Sequence, residues 1–307
     1  MSNIPSSVPK QYRPGFQPKM VESMQDVKPG IQDDMTGDAE PVLDILADGR
    51  KYKGVGKLEG KNVVITGADS GIGASFAVLA AYEGANLLLH HHEKEVKDVE
   101  NLTKYINENS PSTKFEFIAG DLSKLSEVEK LAEKAKSYFN GQVHVLFNNH
   151  ATQQEVESLT DLADEQWTHV FDTNIHAFFR LTKLLIPMMP WGSSIINNAS
   201  INPFVGHPKL VDYTSTKGAI VGFTRALSNQ LVKEKGIRVN CVCPGPILTP
   251  LVVATMGEES MKTFGVTTSI GRAGQPVEIA TCVVFLASSD SSYVTAQMIH
   301  CNGGAPY

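Results

Sequence analysis

From Leu58 onward, short aliphatic and β-branched runs alternate with longer stretches in which apolar residues recur every three or four positions. A run of the first kind reads as a strand, and a stretch of the second as one face of a helix. The pattern predicts strands at Asn62 to Thr66, Asn86 to His90, Phe115 to Ala119, His144 to Asn148, Ser194 to Asn198, Ile237 to Cys243 and Gln297 to Cys301. Between them it predicts helices over 71–83, 94–109, 124–139, 164–188, 212–235 and 276–288. Gly84 and Gly236 stand where helix C-caps would fall, and Ser126 with Glu129 resembles a capping box. Parallel strands need crossovers, and helices must cover both faces of such a sheet. The alternation therefore predicts an α/β fold, a three-layer doubly wound parallel sheet.

Residues 1–57 lack that pattern and form an N-terminal arm ahead of an α/β domain spanning 58–307. Pro5, Pro9, Pro14, Pro18, Pro29 and Pro41 interrupt the arm, and apolar periodicity is nearly absent. Proline removes donors and fixes φ, so such a segment extends along a surface and builds no core of its own. Two uses stay open, a disordered leader or an ordered strap over the body or a neighbouring subunit. The stretch Pro41 to Ala47 has enough apolar residues for one or two helical turns against something else.

Composition excludes several functions. With Lys+Arg 27 against Asp+Glu 33 and no basic cluster, the chain lacks the footprint that phosphate-backbone binding requires. No stretch approaches the ~20 apolar residues of a spanning helix, and the N-terminus has no apolar secretory core. Four cysteines, irregularly placed, are too few for a disulfide scaffold. A cytoplasmic protein with reduced thiols is expected. Cys241-Val-Cys243 is read as alternating along a strand, which would set its thiols on opposite faces as buried, non-chelating groups.

The first βα turn carries the chemistry. Strand Asn62 to Thr66 runs into Gly67-Ala-Asp69-Ser70-Gly71-Ile72-Gly73 and then a helix. Glycines there let the backbone bend sharply and approach a pyrophosphate seated on the helix amides. At the next strand end, where an NAD site usually carries an acid for the ribose 2′-hydroxyl, this chain has His91, followed by His92 and Lys94. Nothing at that place repels a 2′-phosphate, so NADP(H) is favoured while NAD(H) stays open. Adjacent strand residues face opposite ways, so the three histidines read as a strand end rather than a metal site.

Tyr213-Thr-Ser-Thr-Lys217 places a phenol and an ammonium on one helix face. The charge is expected to lower the phenol's pKa from its reference of about 10, as an acid/base catalyst needs. Ser200 follows the fifth strand, at the carboxyl end where ligands gather, and its hydroxyl is placed to hold a substrate oxygen.

Taken with Asp121, Asn148-Asn149, Asn174 and Pro244-Gly-Pro-Ile-Leu-Thr249, these motifs stand in the order of the short-chain dehydrogenase/reductase family, which the chain resembles over residues 58–304. Within that family it is similar to the branch with a long N-terminal extension that includes bacterial NADP-dependent aldehyde reductases and general stress oxidoreductases. Pro29-Gly-Ile-Gln32, Tyr52 to Lys57, Asp69-Ser70, Leu210 to Tyr213 and Gly271 to Pro276 carry that likeness.

The resemblance implies a single Rossmann-fold domain, a homotetramer, and an arm that packs in order. It implies Tyr213 as general acid, Lys217 on the nicotinamide ribose, Ser200 on the substrate oxygen and Asn174 anchoring a proton-relay water. It further implies Gly67, Gly71 and Gly73 at the pyrophosphate, Asp121 and Leu122 at the adenine, Asn148 at the adenosine ribose, and Pro244, Gly245, Ile247 and Thr249 along the nicotinamide. The protein would supply positioning and a proton, the cofactor a hydride.

Two positions depart from the family pattern. His150-Ala151 replaces Ala-Gly, which reads as packing or as an added titratable group, and Asn302 replaces an Asp. Between Pro246 and Arg272 a lid carries Leu248, Leu251, Val252, Val253, Met256, Met261 and Phe264, which suits an apolar or aromatic carbonyl compound or simply packs on the body. His150, Gln153, Gln154, His207, Leu251 and Met256 are the candidate substrate contacts. The expected activity is reduction of an aldehyde or ketone, or the reverse. The alternative is a non-redox biosynthetic step on the same fold, such as dehydration, epimerisation or cyclisation.

Overall fold

The computed structural model describes residues 4–17, 30–35 and 40–305; Pro18 and Pro29 lie outside the described residues. Seven parallel strands lie in the order β3-β2-β1-β4-β5-β6-β7. They are β1 Asn62–Ile65, β2 Asn86–His91, β3 Phe115–Ala119, β4 Val145–Asn148, β5 Ser194–Asn198, β6 Arg238–Val242 and β7 Met298–Ile299. Strands β1, β4, β5 and β6 are almost wholly buried because helices cover both faces. The order reverses between β1 and β4, and at such a switch point the loops diverge and open a crevice at the carboxyl ends.

The helices are α1 Gly71–Tyr82, α2 Val96–Asn109, α3 Leu125–Tyr138, α4 Asp164–Phe171, α5 Ala177–Leu185, α6 Asn202–Val205, α7 Val211–Lys235, α8 Pro250–Thr255, α9 Glu258–Lys262 and α10 Pro276–Ala287. Helices α1 and α10 cover one face and α3, α5 and part of α7 the other, giving two main apolar layers. Among the described residues no helix is long and apolar enough to cross a membrane.

Four local expectations are corrected. The stretch 164–188 is helical throughout but not uniformly α, because a wide π turn at Asp172–His176 joins α4 to α5. Ser126 lies inside the first turn of α3 and caps nothing; the helix starts after Lys124 without a side-chain cap. The capping box forms instead at Gln275 and Glu278 of α10. Pro41 to Ala47 makes no helical turn, since Ile45 pairs antiparallel with Lys51 and the buried Asp44 carboxylate accepts from Tyr82 and Tyr105 hydroxyls at 2.7 and 2.9 Å. Finally, the Cys241 and Cys243 sulfurs are 3.8 Å apart. Residues i and i+2 of a strand share a face, so the expectation of opposite faces was an error of parity.

The described parts of the arm lie against the body. Tyr12 is buried, donates its hydroxyl to the Ile45 carbonyl and lies beneath the Arg272 guanidinium, 5.1 Å from its ring centre. Glu83, fully buried at the end of α1, accepts from the Tyr52 hydroxyl and from the amides of Val55 (2.9 Å) and Lys57 (2.8 Å). Over these residues the leader reading gives way to the strap, because each polar group has a partner on the body.

Candidate active site

The turn between β1 and α1 is shaped by what it excludes. Gly67 and Gly71 have φ of +57° and +51°, and a Cβ on Gly73 would stand 1.9 Å from the Gly67 carbonyl oxygen. Only glycines permit this bend together with its close packing. The Asn149 carboxamide nitrogen holds it by donating to the carbonyls of Thr66 (3.0 Å) and Gly67 (2.8 Å). Ser70 makes no side-chain cap, which leaves the first amides of α1 to other acceptors. A cavity of about 730 Å³ opens beside this turn and runs from His92 and Lys94 to Ser200, Tyr213 and the lid.

At the end of the cavity beside β2, adjacent histidines separate by face. His90 is in the cavity wall, its Nε2 2.9 Å from the Gly120 carbonyl and its Nδ1 accepting from the Gly67 amide at 3.3 Å. Burial pushes it down to about 4, so it is neutral. His91, expected to meet the cofactor, packs edge-on against Phe117 and is outside the wall; the parity of β2 turns it to the other face. His92, Lys94, Asp121 and Leu122 line the cavity.

Two acids that the strand-end reasoning did not weigh, Asp69 and Glu95, face each other there at 2% and 9% exposure. Burial pushes both carboxyls up, with the charge of Asp98 adding to it at Asp69 and the charge of Asp69 adding to it at Glu95, so the pair keeps a proton that the unfolded chain would release. Because the folded-state values are raised, the pair's contribution to stability is full below about pH 4 and is lost as pH rises through the raised values. Between about pH 6 and pH 9 the wild-type Tm should therefore fall more steeply than that of Glu95→Gln, whose carboxamide still accepts from the His92 amide. Parallel Tm profiles for the two proteins would dismiss the shared proton.

The opposite end gathers Ser200, Tyr213 and Lys217. Tyr213 and Lys217 lie one turn apart on α7, with the Lys217 Nζ 5.3 Å from the Tyr213 ring centre and donating to the Asn198 carbonyl at 2.6 Å. Ser200 stands beside the Tyr213 hydroxyl in the cavity wall, and its own oxygen accepts from the Asn202 amide at 3.1 Å. The expected lowering of the phenol is not found in the free protein. Burial pushes Tyr213 up to about 12, against a smaller lowering by Ser200, and pushes Lys217 down to about 7. Desolvation penalises each charged form more than their separation repays, so the phenol holds its proton.

Asn174 sits in the π turn and is fully buried. Its carboxamide accepts from the Thr152 amide (2.8 Å) and donates to the Thr152 carbonyl (2.9 Å) and the Thr216 hydroxyl (3.1 Å). It ties the loop after β4 to α7 from behind the cavity wall, and so acts as a positioning residue. π turns arise where an extra residue must be accommodated, frequently at functional sites.

Asn148 is likewise absent from the wall. It is buried beneath it, donating to Thr182 (3.1 Å) and Asn197 (2.9 Å), and its neighbour Asn149 lines the cavity instead. Gly73 lies behind Gly67, outside the wall, while Gly67, Asp69, Ser70, Gly71, Ile72 and Thr249 are in it. So are Pro244, Gly245 and Ile247.

His150 lines the cavity with both of its ring nitrogens engaged. Its Nδ1 lies 2.8 Å from the Thr66 hydroxyl and its Nε2 2.9 Å from the Thr173 carbonyl, with the ring edge-on to Phe178. Burial pushes it down to about 3, so it brings no titration near neutrality. The lid divides its apolar residues. Leu248, Val253 and Met261 pack together with Met35 of the arm, while Leu251, Val252, Met256 and Phe264 line the cavity. Gln153, Gln154 and His207 line the same region, and Gln153 is braced by a 2.9 Å bond to Thr255.

Residues 67–306 match the family model described as enoyl-(acyl carrier protein) reductase. General stress protein 39 of Bacillus subtilis is 42% identical over 304 residues, covering 99% of this chain and 98% of that protein. NADPH-dependent aldehyde reductase 1, chloroplastic, of Arabidopsis thaliana is 43% identical over 258 residues, covering 83% and 89%. Among solved structures, a short-chain dehydrogenase/reductase described as glucose/ribitol dehydrogenase from Brucella melitensis superposes with a TM-score of 0.74 at 31% identity, covering 83% of this chain and all of that one.

Proposed function

Because the chain belongs to the short-chain dehydrogenase/reductase family and is an oxidoreductase of that kind, we propose that it reduces an aldehyde or ketone with NADPH, with Tyr213 donating the proton. The observation that carries this reading is the meeting, in one cavity, of a glycine cradle on a helix N-terminus with a protonated phenol beside a buried lysine. The residues fit a dinucleotide. A Cβ at Gly73 would push the Gly67 turn out into the cavity, and among the described atoms Asp69 Oδ2 and Asn198 Oδ1, both on residues of the wall, are buried without a hydrogen-bond partner. His92 and Lys94 favour the 2′-phosphate, and the likeness to an NADPH-dependent aldehyde reductase points the same way.

When bound, the cofactor would supply a hydride. Gly67, Gly71 and Asn149 would hold its phosphates and ribose, and Lys217 the second ribose. Ser200 orients the carbonyl oxygen, so that the O–H of Tyr213 lies along the path of the developing alkoxide. At neutral pH the Tyr213 phenol holds the proton it would donate. The wall formed by Leu251, Val252, Met256 and Phe264 excludes water and accepts an apolar or aromatic substrate, with Gln153 and His207 supplying polar contacts.

The arm of residues 1–57 and the catalytic domain of 58–307 belong to the same proposal, as do a cytoplasmic location and a homotetramer. The non-redox alternative loses the support of His150, both of whose ring nitrogens are engaged. Purified protein offered a panel of aromatic and aliphatic aldehydes and diketones should consume NADPH, read as loss of absorbance of the reduced nicotinamide. No consumption with any of them would overturn the assignment.

A further inference from the structure

The segment 30–35 of the arm is gripped on both sides of the cofactor cavity. At one end Gly30 lines the cavity and lies so close to α8 that a Cβ would stand 2.4 Å from the Pro250 carbonyl oxygen and 2.8 Å from the Ala254 side chain. At the other end Met35, 2% exposed, is buried among Leu248, Val253 and Met261 of the lid. Between them the amides of Gln32 and Asp33 donate to the two oxygens of the buried Asp98 carboxylate on α2, at 2.7 and 2.8 Å. The segment thus bridges the lid to the rim of the sheet at the adenosine end. At its centre the Gln32 side-chain oxygen accepts from the Gly71 amide, the first of α1, at 2.8 Å.

The residue type at that contact is informative. A helix N-terminus is best capped by an anion, and acids stand at the next two positions, Asp33 and Asp34. Asp33 is turned aside to Lys97 and Asn101, with the Asn101 contact at 2.6 Å, and the neutral carboxamide meets the amide. A carboxylate there would compete with a pyrophosphate and repel it. A carboxamide has an acceptor and a donor end, so it can serve the amide when the cradle is free and a phosphate when it is filled.

We propose that residues 30–35 form a clasp over the cofactor phosphates and that Gln32 is a phosphate ligand supplied by the arm. In the free protein its oxygen rests on the Gly71 amide, and in the loaded protein its amide nitrogen donates to a pyrophosphate oxygen. This inference rests on the dinucleotide reading above. It is tested by fluorescence titration and stopped-flow release of NADPH and NADH, with thermal unfolding of the free protein, for wild type, Gln32→Ala and Gln32→Glu.

Gln32→Ala should weaken both nucleotides by about fivefold, chiefly through faster release. Gln32→Glu should weaken both by about fiftyfold yet raise the Tm of the free protein, because a carboxylate caps α1 better. Wild-type affinity in Gln32→Glu, or tighter binding by Gln32→Ala, would overturn the clasp. A loss confined to NADPH would do so too, since it would place Gln32 at the 2′-phosphate. Failure of the wild type to bind either nucleotide would instead bring down the cofactor reading itself.

Discussion

Replacing Tyr213 by Phe should abolish carbonyl reduction, lowering kcat by about three orders of magnitude, while NADPH affinity changes by no more than about twofold. The substitution removes one hydroxyl and leaves the ring, whose centre stays 5.3 Å from the Lys217 nitrogen. The donor vanishes without a cavity, and Lys217 keeps its bond to the Asn198 carbonyl. Steady-state kinetics beside a nucleotide titration separates the two effects. A variant that keeps more than about a tenth of wild-type kcat would show that the proton comes from another group.

The second large effect is expected at Gly73. Its Cβ would meet the Gly67 carbonyl oxygen at 1.9 Å and the Asn149 side-chain nitrogen at 2.7 Å, and the first of these is backbone that cannot step aside. Gly73→Ala must therefore push the turn off α1 and break the Asn149 bonds that hold it. NADPH affinity should fall by about a hundredfold, equivalent to about 2.7 kcal/mol, together with a lower Tm. Circular dichroism melting and a binding titration on the same preparation check both. A variant that binds NADPH like the wild type would mean that the turn does not form the phosphate cradle.

Much of the frame was legible in the chain because buried parallel strands leave a strong mark. Phe115–Ala119 and Ser194–Asn198 fall where the apolar runs place them, and other strands differ by a residue or two at their ends. The glycine turn and the Tyr213–Lys217 pair were legible for a similar reason, since their spacing is a local geometric requirement. Parity was less legible. His90 lines the cavity and His91 does not; Asn149 lines it and Asn148 does not. One residue's difference in register moves a side chain to the other face, and composition cannot say which face looks into the crevice.

The succession of strands and helices along the chain, the glycine turn and the spacing of phenol and ammonium can all be read from residue order, because each is set by contacts between near neighbours in the chain. Only the tertiary structure decided the burial that holds Tyr213 protonated, the paired acids at Asp69 and Glu95, and the position of Gln32 on an amide 39 residues away. Those features depend on desolvation and on contacts between distant segments. Neither quantity exists until the chain has closed around the crevice.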